Sequence, residues 1–229
     1  SGTDAVELTR TLDPDLILGL PTAVTASSGL DALSHAFEAY ISTQASALTD
    51  SAARSAMDLL ASSLRVAWAD GGDSRARQQT LVGAHLAGRS LNAGVVLGHS
   101  IAYTLADRVH LPHGITTGLA LPYALAYSWP AVHDRLEPIA RDWESRTGGT
   151  VVGLLSWLSA LSTELGAPAG LEAAGIGRDD LAGMVADCLE RYPRANNPVP
   201  LEQGRLTALY EHLFAGDLDG AVATMRAAG

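Results

Sequence analysis

Hydrophobic residues recur along the chain at steps of three and four positions, the spacing that places them on one face of an α-helix. The most regular stripes are Ala53, Met57, Leu60 and Leu64; Leu154, Leu158, Leu161 and Leu165; and Leu181, Met184, Val185 and Cys188. The alternating pattern typical of strands is nearly absent, although the run at 95–97 is ambiguous by itself. The pattern therefore predicts an all-α fold of about nine or ten helices.

Glycine and proline residues mark where predicted helices end. Gly166 follows the second stripe and can take the left-handed conformation that ends a helix, and Pro168 prevents the helix from continuing. Similar breaks fall at Gly71-Gly72, at Gly148-Gly149 and around Asn197-Pro198. We find no internal repeat, low-complexity tract or obvious linker, so residues 1–229 are predicted to form a single helical domain.

The composition excludes several classes of protein. Hydrophobic residues make up 47% of the 229 residues, but no uncharged apolar run is long enough to span a membrane. A formal charge of −10 argues against nucleic acid or an anionic membrane as the main partner, because both bind clustered positive charge. The single cysteine, Cys188, precludes an internal disulfide and favours the cytoplasm. All 15 basic residues are arginine, so no lysine amine is available for catalysis.

The segment SGLDALSHAFEAY, residues 28–40, combines a helical pattern with an unusual set of polar side chains. Asp31 and His35 are four residues apart and therefore point the same way, one helical turn above the other. Glu38 follows on nearly the same face. Packing of this helix against a hydrophobic core does not require an aspartate and a histidine on one face. A metal site explains the pair, although a surface hydrogen bond is the commoner reason for such spacing.

Two further histidines lie in apolar segments. His99 stands in VVLGHSIAY, and His113 stands in LPHGITTG, where the flanking proline and glycine predict a turn that leads into a helix. Together with Asp31 and His35 they would supply one carboxylate and three imidazoles, a set that suits Zn(II) or Fe(II). Taken singly, each is more often a hydrogen-bonded core or turn residue. The hypothesis of a metal site therefore depends on the combination.

The other four histidines are weaker candidates. The adjacent pair His133-Asp134 resembles one used by some metal-dependent phosphohydrolases, which makes a metallohydrolase an alternative. The pair lies three residues after Pro130 of Trp129-Pro130, however, and is more typical of the beginning of a helix. His85 is predicted to lie in the core or beside the site, His110 to be exposed, and His212 to lie on the surface of a helix.

No other catalytic motif is visible in the chain. It lacks a Gly-x-Gly-x-x-Gly turn after a strand and a Gly-x-x-x-x-Gly-Lys motif, so no phosphate-binding loop is predicted. It also lacks a Gly-x-Ser-x-Gly elbow, and Cys188 falls in a helical stripe, where it most often serves as a small hydrophobic residue. Any chemistry is therefore expected to come from the metal residues.

Five segments of the chain match the pattern of a known family. They are DPDLILGLP (13–21), SSGLDALSHAFEAYIS (27–42), LAGRSLNAGVVLGHSIAYTLADRVHLPHG (86–114), LALPYALAYSWPA (119–131) and NPVPLEQGRLTALYEHLFAG (197–216). In this order they resemble the C-terminal helical domain of iron-containing alcohol dehydrogenases. Phrases such as LPYALAY are closer to maleylacetate reductases, but that branch often has Asn at the position of Asp31. Asp31 therefore favours a member like the metal-dependent alcohol dehydrogenases.

The resemblance implies a dehydroquinate-synthase-like helical domain in which Asp31, His35, His99 and His113 bind Fe(II) or Zn(II). It implies an NAD(P)-dependent alcohol dehydrogenase or carbonyl reductase, in which the metal polarises the oxygen of a small-molecule substrate and the nicotinamide exchanges hydride. The family's N-terminal dinucleotide-binding domain is absent from this chain. NAD(P) is therefore expected to bind only together with that domain, and the chain alone is expected to be inactive. A homodimer is the expected assembly.

One position departs from the family pattern. Many members carry a second histidine four residues after the ligand that corresponds to His99, close to the nicotinamide, and here that position is Tyr103. A phenol can relay a proton, but its usual pKa of about 10 makes it a poor shuttle at neutral pH unless neighbours lower that pKa. Two alternatives to an alcohol dehydrogenase stay open: an enzyme like maleylacetate reductase, and a metal-binding or assembly module without catalysis.

Overall fold

The computed structural model describes residues 12–228, and every regular element in that range is helical. The α-helices are α1 (Thr22–Ile41), α2 (Ala47–Ala69), α3 (Ser74–Ser90), α4 (Leu97–Ala106), α5 (His113–Tyr127), α6 (Trp129–Asp142), α7 (Glu144–Thr147), α8 (Val151–Glu164), α9 (Leu181–Glu190), α10 (Gln203–Ala215) and α11 (Leu218–Ala227). Short 3-10 turns occur at Pro14–Ile17, Leu91–Ala93 and Arg178–Asp180. The all-α prediction is confirmed. The helices in this range number eleven because α7 is a single turn directly after α6, too short to show a stripe of its own.

The three predicted stripes lie on α2, on α8 with Leu165 directly after its last residue, and on α9, and all of their residues are buried. Gly166 has a φ of 101° shortly after α8, as predicted, because a residue without a Cβ takes this conformation at no steric cost. In the ambiguous run at 95–97, the first two residues belong to a loop and the third begins α4. Within residues 12–228, no helix is both long and apolar enough to cross a bilayer, as the sequence predicts.

Helix α5 lies at the centre of the fold and packs against α1, α4, α8 and α11, with every residue from Gly114 to Tyr127 buried. Pro122 lies inside this helix and cannot donate to the carbonyl of Gly118, four residues earlier. The hydroxyl of Ser162 in α8 donates to that carbonyl at 2.9 Å, so the acceptor that proline leaves free is satisfied. The helix therefore continues through the proline and places its first residue, His113, at a defined position.

Helices α1 and α5 come into backbone contact at Gly114, the residue after His113. A Cβ at Gly114 would lie 1.7 Å from the carbonyl oxygen of Ser27, a separation that no side chain tolerates. The absence of a side chain lets the two helices meet. This contact carries His113 to within 3.6 Å of Asp31.

Replacing Gly114 with alanine should separate α1 from α5 and lower the free energy of unfolding by about 1–3 kcal/mol, the usual cost of overpacking. Equilibrium unfolding in urea measures this loss. Gly88→Ala in α3 is the matched control, because a Cβ at Gly88 meets nothing within 4 Å and alanine is the better helix former. Equal stability of Gly114→Ala and the wild-type chain would contradict this account of the packing.

Candidate metal centre

Three helices converge at the four residues that the sequence predicts as ligands. Asp31 and His35 lie one turn apart on α1, His99 lies in the first turn of α4, and His113 is the first residue of α5. Oδ1 of Asp31 lies 3.7 Å from Nε2 of His35, and it lies 3.6 Å from Nε2 of both His99 and His113. The structure therefore brings all four side chains together, although helical spacing alone relates only Asp31 to His35.

The spacing and chemistry of this group suit a divalent metal ion. Ligand atoms about 2.0–2.1 Å from a tetrahedral zinc lie roughly 3.4 Å from one another, and the three distances from Oδ1 of Asp31 are close to this value. The ligand atoms of Asp31, His35 and His99 all lie within 4.8 Å of one another, whereas His113 is close to Asp31 but outside this compact cluster. Nε2 of His99 is buried and has no hydrogen-bond partner among the described residues. An unpaired buried nitrogen is costly, and coordination of a metal would satisfy it. One carboxylate and three imidazoles thus fit either Fe(II) or Zn(II).

The group is enclosed on one side and accessible on the other. The exposed fraction of the side chain is 2% at His99, 22% at His35 and 26% at Asp31. It reaches 41% at His113. An ion held here would be bound on its buried side by His99. On the side of His113 it would remain accessible to a small molecule, which a catalytic site requires and a purely structural site does not.

Glu38 of α1 lies behind His99 and positions its ring. Oε1 of Glu38 lies 2.9 Å from Nδ1 of His99, and Oε2 accepts the backbone N–H of Val96 at 2.5 Å. Glu38 is fully buried, and Gly98 leaves room for it, since a Cβ there would lie 2.3 Å from Oε1. A carboxylate behind a metal-binding imidazole fixes the ring orientation and makes the ring a better ligand. The sequence does not predict this role of Glu38. The one feature of the sequence that could have indicated it is the position of this carboxylate on the helical face that carries Asp31 and His35.

Replacing Glu38 with glutamine should weaken metal binding about 10–100-fold. Both carboxylate oxygens accept an N–H, whereas the amide nitrogen of glutamine cannot, so either His99 or Val96 would lose its partner. Competition with a chromophoric chelator measures the affinity. Glu190→Gln, at the exposed end of α9, is the control and should bind like the wild-type chain. The same affinity in Glu38→Gln would show that His99 does not depend on Glu38.

The charged groups of the site alter one another's pKa. Burial alone would lower the pKa of His99, but Glu38 and Asp31 outweigh burial and raise it to about 9. Burial lowers the pKa of His35, and His99 acts in the same direction. Burial alone would raise the pKa of Asp31, but the adjacent imidazoles hold it below its usual value. Asp31 therefore favours its ionised form and His35 its neutral form, which are the forms that bind a metal ion. His99, with its raised pKa, must release a proton before it can bind one.

The group borders a surface cleft of about 480 Å³, whose polar lining residues are His35, Gln44, His99, Tyr103, Arg194 and Asn196. The ring of Tyr103 lies 6.0 Å from the ring of His99 and 5.5 Å from that of His113, with which it stacks. Tyr103 therefore lies beside the group of ligands and faces the space that a substrate would enter.

The pair His133-Asp134 lies apart from this group. His133 is partly exposed on α6, and its Nδ1 lies 3.1 Å from a carboxylate oxygen of Asp134. In the range 12–228, the one compact cluster of three or more ligand side chains consists of Asp31, His35 and His99. The metallohydrolase alternative therefore lacks a supporting set of ligands in the described part of the chain.

The remaining histidines also lie outside the centre. His85 is half-buried on α3 and His110 is exposed before α5. His212 is half-buried, and its two ring nitrogens lie 2.9 Å from Asp217 and from Thr224, so it joins α10 to α11. The expectation of a plain surface histidine at 212 is therefore too simple, because the ring connects two helices.

The chain is thus an all-helical domain in which one carboxylate and three imidazoles converge beside a cleft, a set of side chains suited to a divalent metal ion. The chain matches the model of the Fe-containing alcohol dehydrogenase family, C-terminal, over residues 25–214. It belongs to that family, which confirms the resemblance seen in its sequence.

Relatives of known structure or function share the same region. Long-chain-alcohol dehydrogenase 1 of Geobacillus thermodenitrificans is 34% identical over 218 residues, 90% of this chain and 54% of that protein. The crystal structure of maleylacetate reductase from Rhizobium sp. strain MTP-10005 is 33% identical with a TM-score of 0.76, covering 89% of this chain and 56% of that one. Sulfoacetaldehyde reductase of Bifidobacterium kashiwanohense, crystallised in complex with NAD+, is 27% identical with a TM-score of 0.76, covering 88% and 53%. The chain spans about half the length of the curated relatives it matches.

Proposed function

We propose that this chain is the metal-binding catalytic domain of an NAD(P)-dependent alcohol dehydrogenase or carbonyl reductase. The observation that carries the proposal is the position of Asp31 Oδ1, within 3.7 Å of one nitrogen from each of three histidines. The residues that would hold Fe(II) or Zn(II) are Asp31, His35, His99 and His113. The ion, when bound, polarises the oxygen of an alcohol or carbonyl. Family membership supports this class of reaction, since the relatives bear the names of dehydrogenases and reductases.

The chain's own residues prepare the ligands for this role. With Nδ1 of His99 donating to Glu38, the proton that His99 releases when it binds an ion comes from Nε2, whose lone pair then faces Asp31. Thr117 of α5 donates to Oδ1 of Asp31 at 3.4 Å and helps to hold the carboxylate. These contacts set the orientation of the ligands before an ion arrives, which lowers the entropy lost on binding.

Tyr103 is the residue we propose for moving the substrate proton. Its ring lines the cleft beside the ligands. Its hydroxyl makes no hydrogen bond to another side chain or carbonyl within residues 12–228, so it is available to a substrate oxygen. A phenol that bonds this oxygen can accept or donate a proton as the carbon is oxidised or reduced.

We propose that the nicotinamide cofactor binds mainly to a part of the enzyme outside residues 12–228. The pyrophosphate of a dinucleotide usually binds where a strand leads through a glycine-rich turn into a helix. Residues 12–228 contain no strand. We therefore infer that a dinucleotide-binding domain outside this helical unit supplies NAD(P), as the length of the NAD+-bound relative allows. A cytoplasmic homodimer stays a prediction from the sequence and the family.

Cobalt substitution tests the proposed centre. Co(II) held by three imidazoles and one carboxylate should give visible absorption bands that saturate at about one ion per chain. Asp31→Asn should weaken or abolish these bands, because the amide carries no charge to neutralise the ion. Asp134→Asn removes the same charge from α6 and should leave them unchanged. Absence of the bands, or equal bands in Asp31→Asn, would contradict the proposal.

A further inference from the structure

Arg194 lies in the same cleft as the proposed metal ligands. Its guanidinium carbon lies 5.7 Å from the ring centre of Tyr103, which in turn lies 6.0 Å from the ring of His99. His35 and His99 line this cleft together with Arg194. A full positive charge is therefore one aromatic ring away from the place where a substrate oxygen would meet the metal.

The guanidinium is held in position but keeps part of its donor capacity. Nε of Arg194 donates to the hydroxyl of Ser100 at 3.1 Å, and that hydroxyl donates to the carbonyl of Tyr192 at 2.6 Å. Within residues 12–228, no carboxylate forms an ion pair with Arg194, and its two Nη atoms have no hydrogen-bond acceptor. Arg191, three residues earlier, instead pairs with Asp107 and Asp187. The Nη edge of Arg194 is thus available for an anion.

The other polar residues of the cleft leave this role to Arg194. Gln44 and Asn196 carry no charge, and the amide nitrogen of Asn196 is already bonded to the Ser42 hydroxyl and to two backbone carbonyls. A protein with a net charge of −10 repels anions in general, so binding one requires a specific local cation. The planar fork of an arginine matches a carboxylate better than any other side chain does.

We propose that Arg194 binds the carboxylate of the substrate while the substrate's oxygen at the other end meets the metal. The substrate class is therefore a hydroxy acid and the corresponding oxo acid rather than a neutral alcohol. This inference depends on the proposed function and specifies its substrate. Ser100 positions the guanidinium through its hydrogen bond to Nε.

The test follows the visible bands of the Co(II)-loaded full chain during titration with 4-hydroxybutanoate, 5-hydroxypentanoate and 1-butanol. We expect at least one hydroxy acid to change the bands saturably and to bind more tightly than 1-butanol. Arg194→Gln should weaken hydroxy-acid binding about tenfold or more, since hydrogen bonds to charged groups are among the strong ones. It should leave the bands before titration, and any response to 1-butanol, unchanged. Arg194→Lys keeps the positive charge but loses the two parallel N–H donors of the guanidinium, so its affinity for the hydroxy acid should lie between those of the wild-type chain and Arg194→Gln.

Arg75→Gln is the matched control, because Arg75 is exposed on the first turn of α3, and it should bind the acids like the wild-type chain. Butanoate, which lacks the hydroxyl, reports direct coordination of a carboxylate to cobalt. Equal affinity in the wild-type chain and Arg194→Gln would overturn the proposal, as would a cobalt-loaded wild-type chain that responds to neither acid. Failure to bind cobalt at all would instead overturn the proposed metal centre, so the two failures are distinguishable.

Discussion

A chain in which His99 is replaced by alanine should bind neither Fe(II) nor Zn(II) stoichiometrically, and His113→Ala should have the same effect. Structural zinc sites with four ligands contribute about 10–16 kcal/mol in total, so one ligand accounts for roughly a hundredfold to thousandfold in affinity. The loss at His99 should be especially complete, because its buried nitrogen has no other partner in the described part of the chain. Metal content after gel filtration measures the effect.

His85→Ala and His133→Ala are the controls for this prediction. Both remove an imidazole outside the centre, and both variants should retain the metal. Loss of metal in His133→Ala but not in His99→Ala would favour the metallohydrolase alternative. Equal loss in all of these variants would indicate general unfolding and would count against the assignment. Added metal should raise the melting temperature of the wild-type chain and of these two controls, but not that of His99→Ala or His113→Ala, since an ion that binds only the folded state stabilises it.

The chain alone should neither bind NAD(P)H tightly nor oxidise alcohols. The described residues offer no strand followed by a glycine-rich turn, and the net charge of −10 disfavours an anionic dinucleotide. Without a positioned nicotinamide the hydride has no acceptor. Holding two reactants together contributes roughly 7–11 kcal/mol to lowering a barrier, so the isolated chain should be slower by many orders of magnitude.

Titration of the purified chain with NADH, followed by the fluorescence of the cofactor, checks this directly. Micromolar, saturable binding would show that the cofactor site lies within this helical unit. Fusing a dinucleotide-binding domain of the family ahead of Ser1 should restore activity. A fusion that binds NADH and retains its metal, yet oxidises or reduces no substrate, would favour the non-catalytic module.

The helical fold could be predicted because its hydrophobic stripes are local. A helix such as α2 shows its buried face in residues three and four apart, and the left-handed Gly166 follows from the chemistry of glycine alone. The relation of Asp31 to His35 is local in the same way. Helix α7 could not be predicted, since four residues make too short a turn to show a period.

The rest of the site depends on contacts between residues far apart in the chain. Glu38 and His99 are 61 residues apart, and Arg194 reaches the site from the segment between α9 and α10. No spacing rule relates such positions. The contact of Ser162 with Gly118, which satisfies the carbonyl freed by a proline, is equally invisible without the packing of α8 on α5.

We propose that one catalytic metal ion is held by Asp31, His35, His99 and His113. Elemental analysis of the chain purified without oxygen tests it most directly, because iron in such a site is easily lost or replaced in air. We expect about one iron or zinc per wild-type chain, after purification or after brief exposure to Fe(II) or Zn(II), and none in His99→Ala under the same conditions. A folded wild-type chain that retains no metal, or a His99→Ala chain that retains as much, would contradict it.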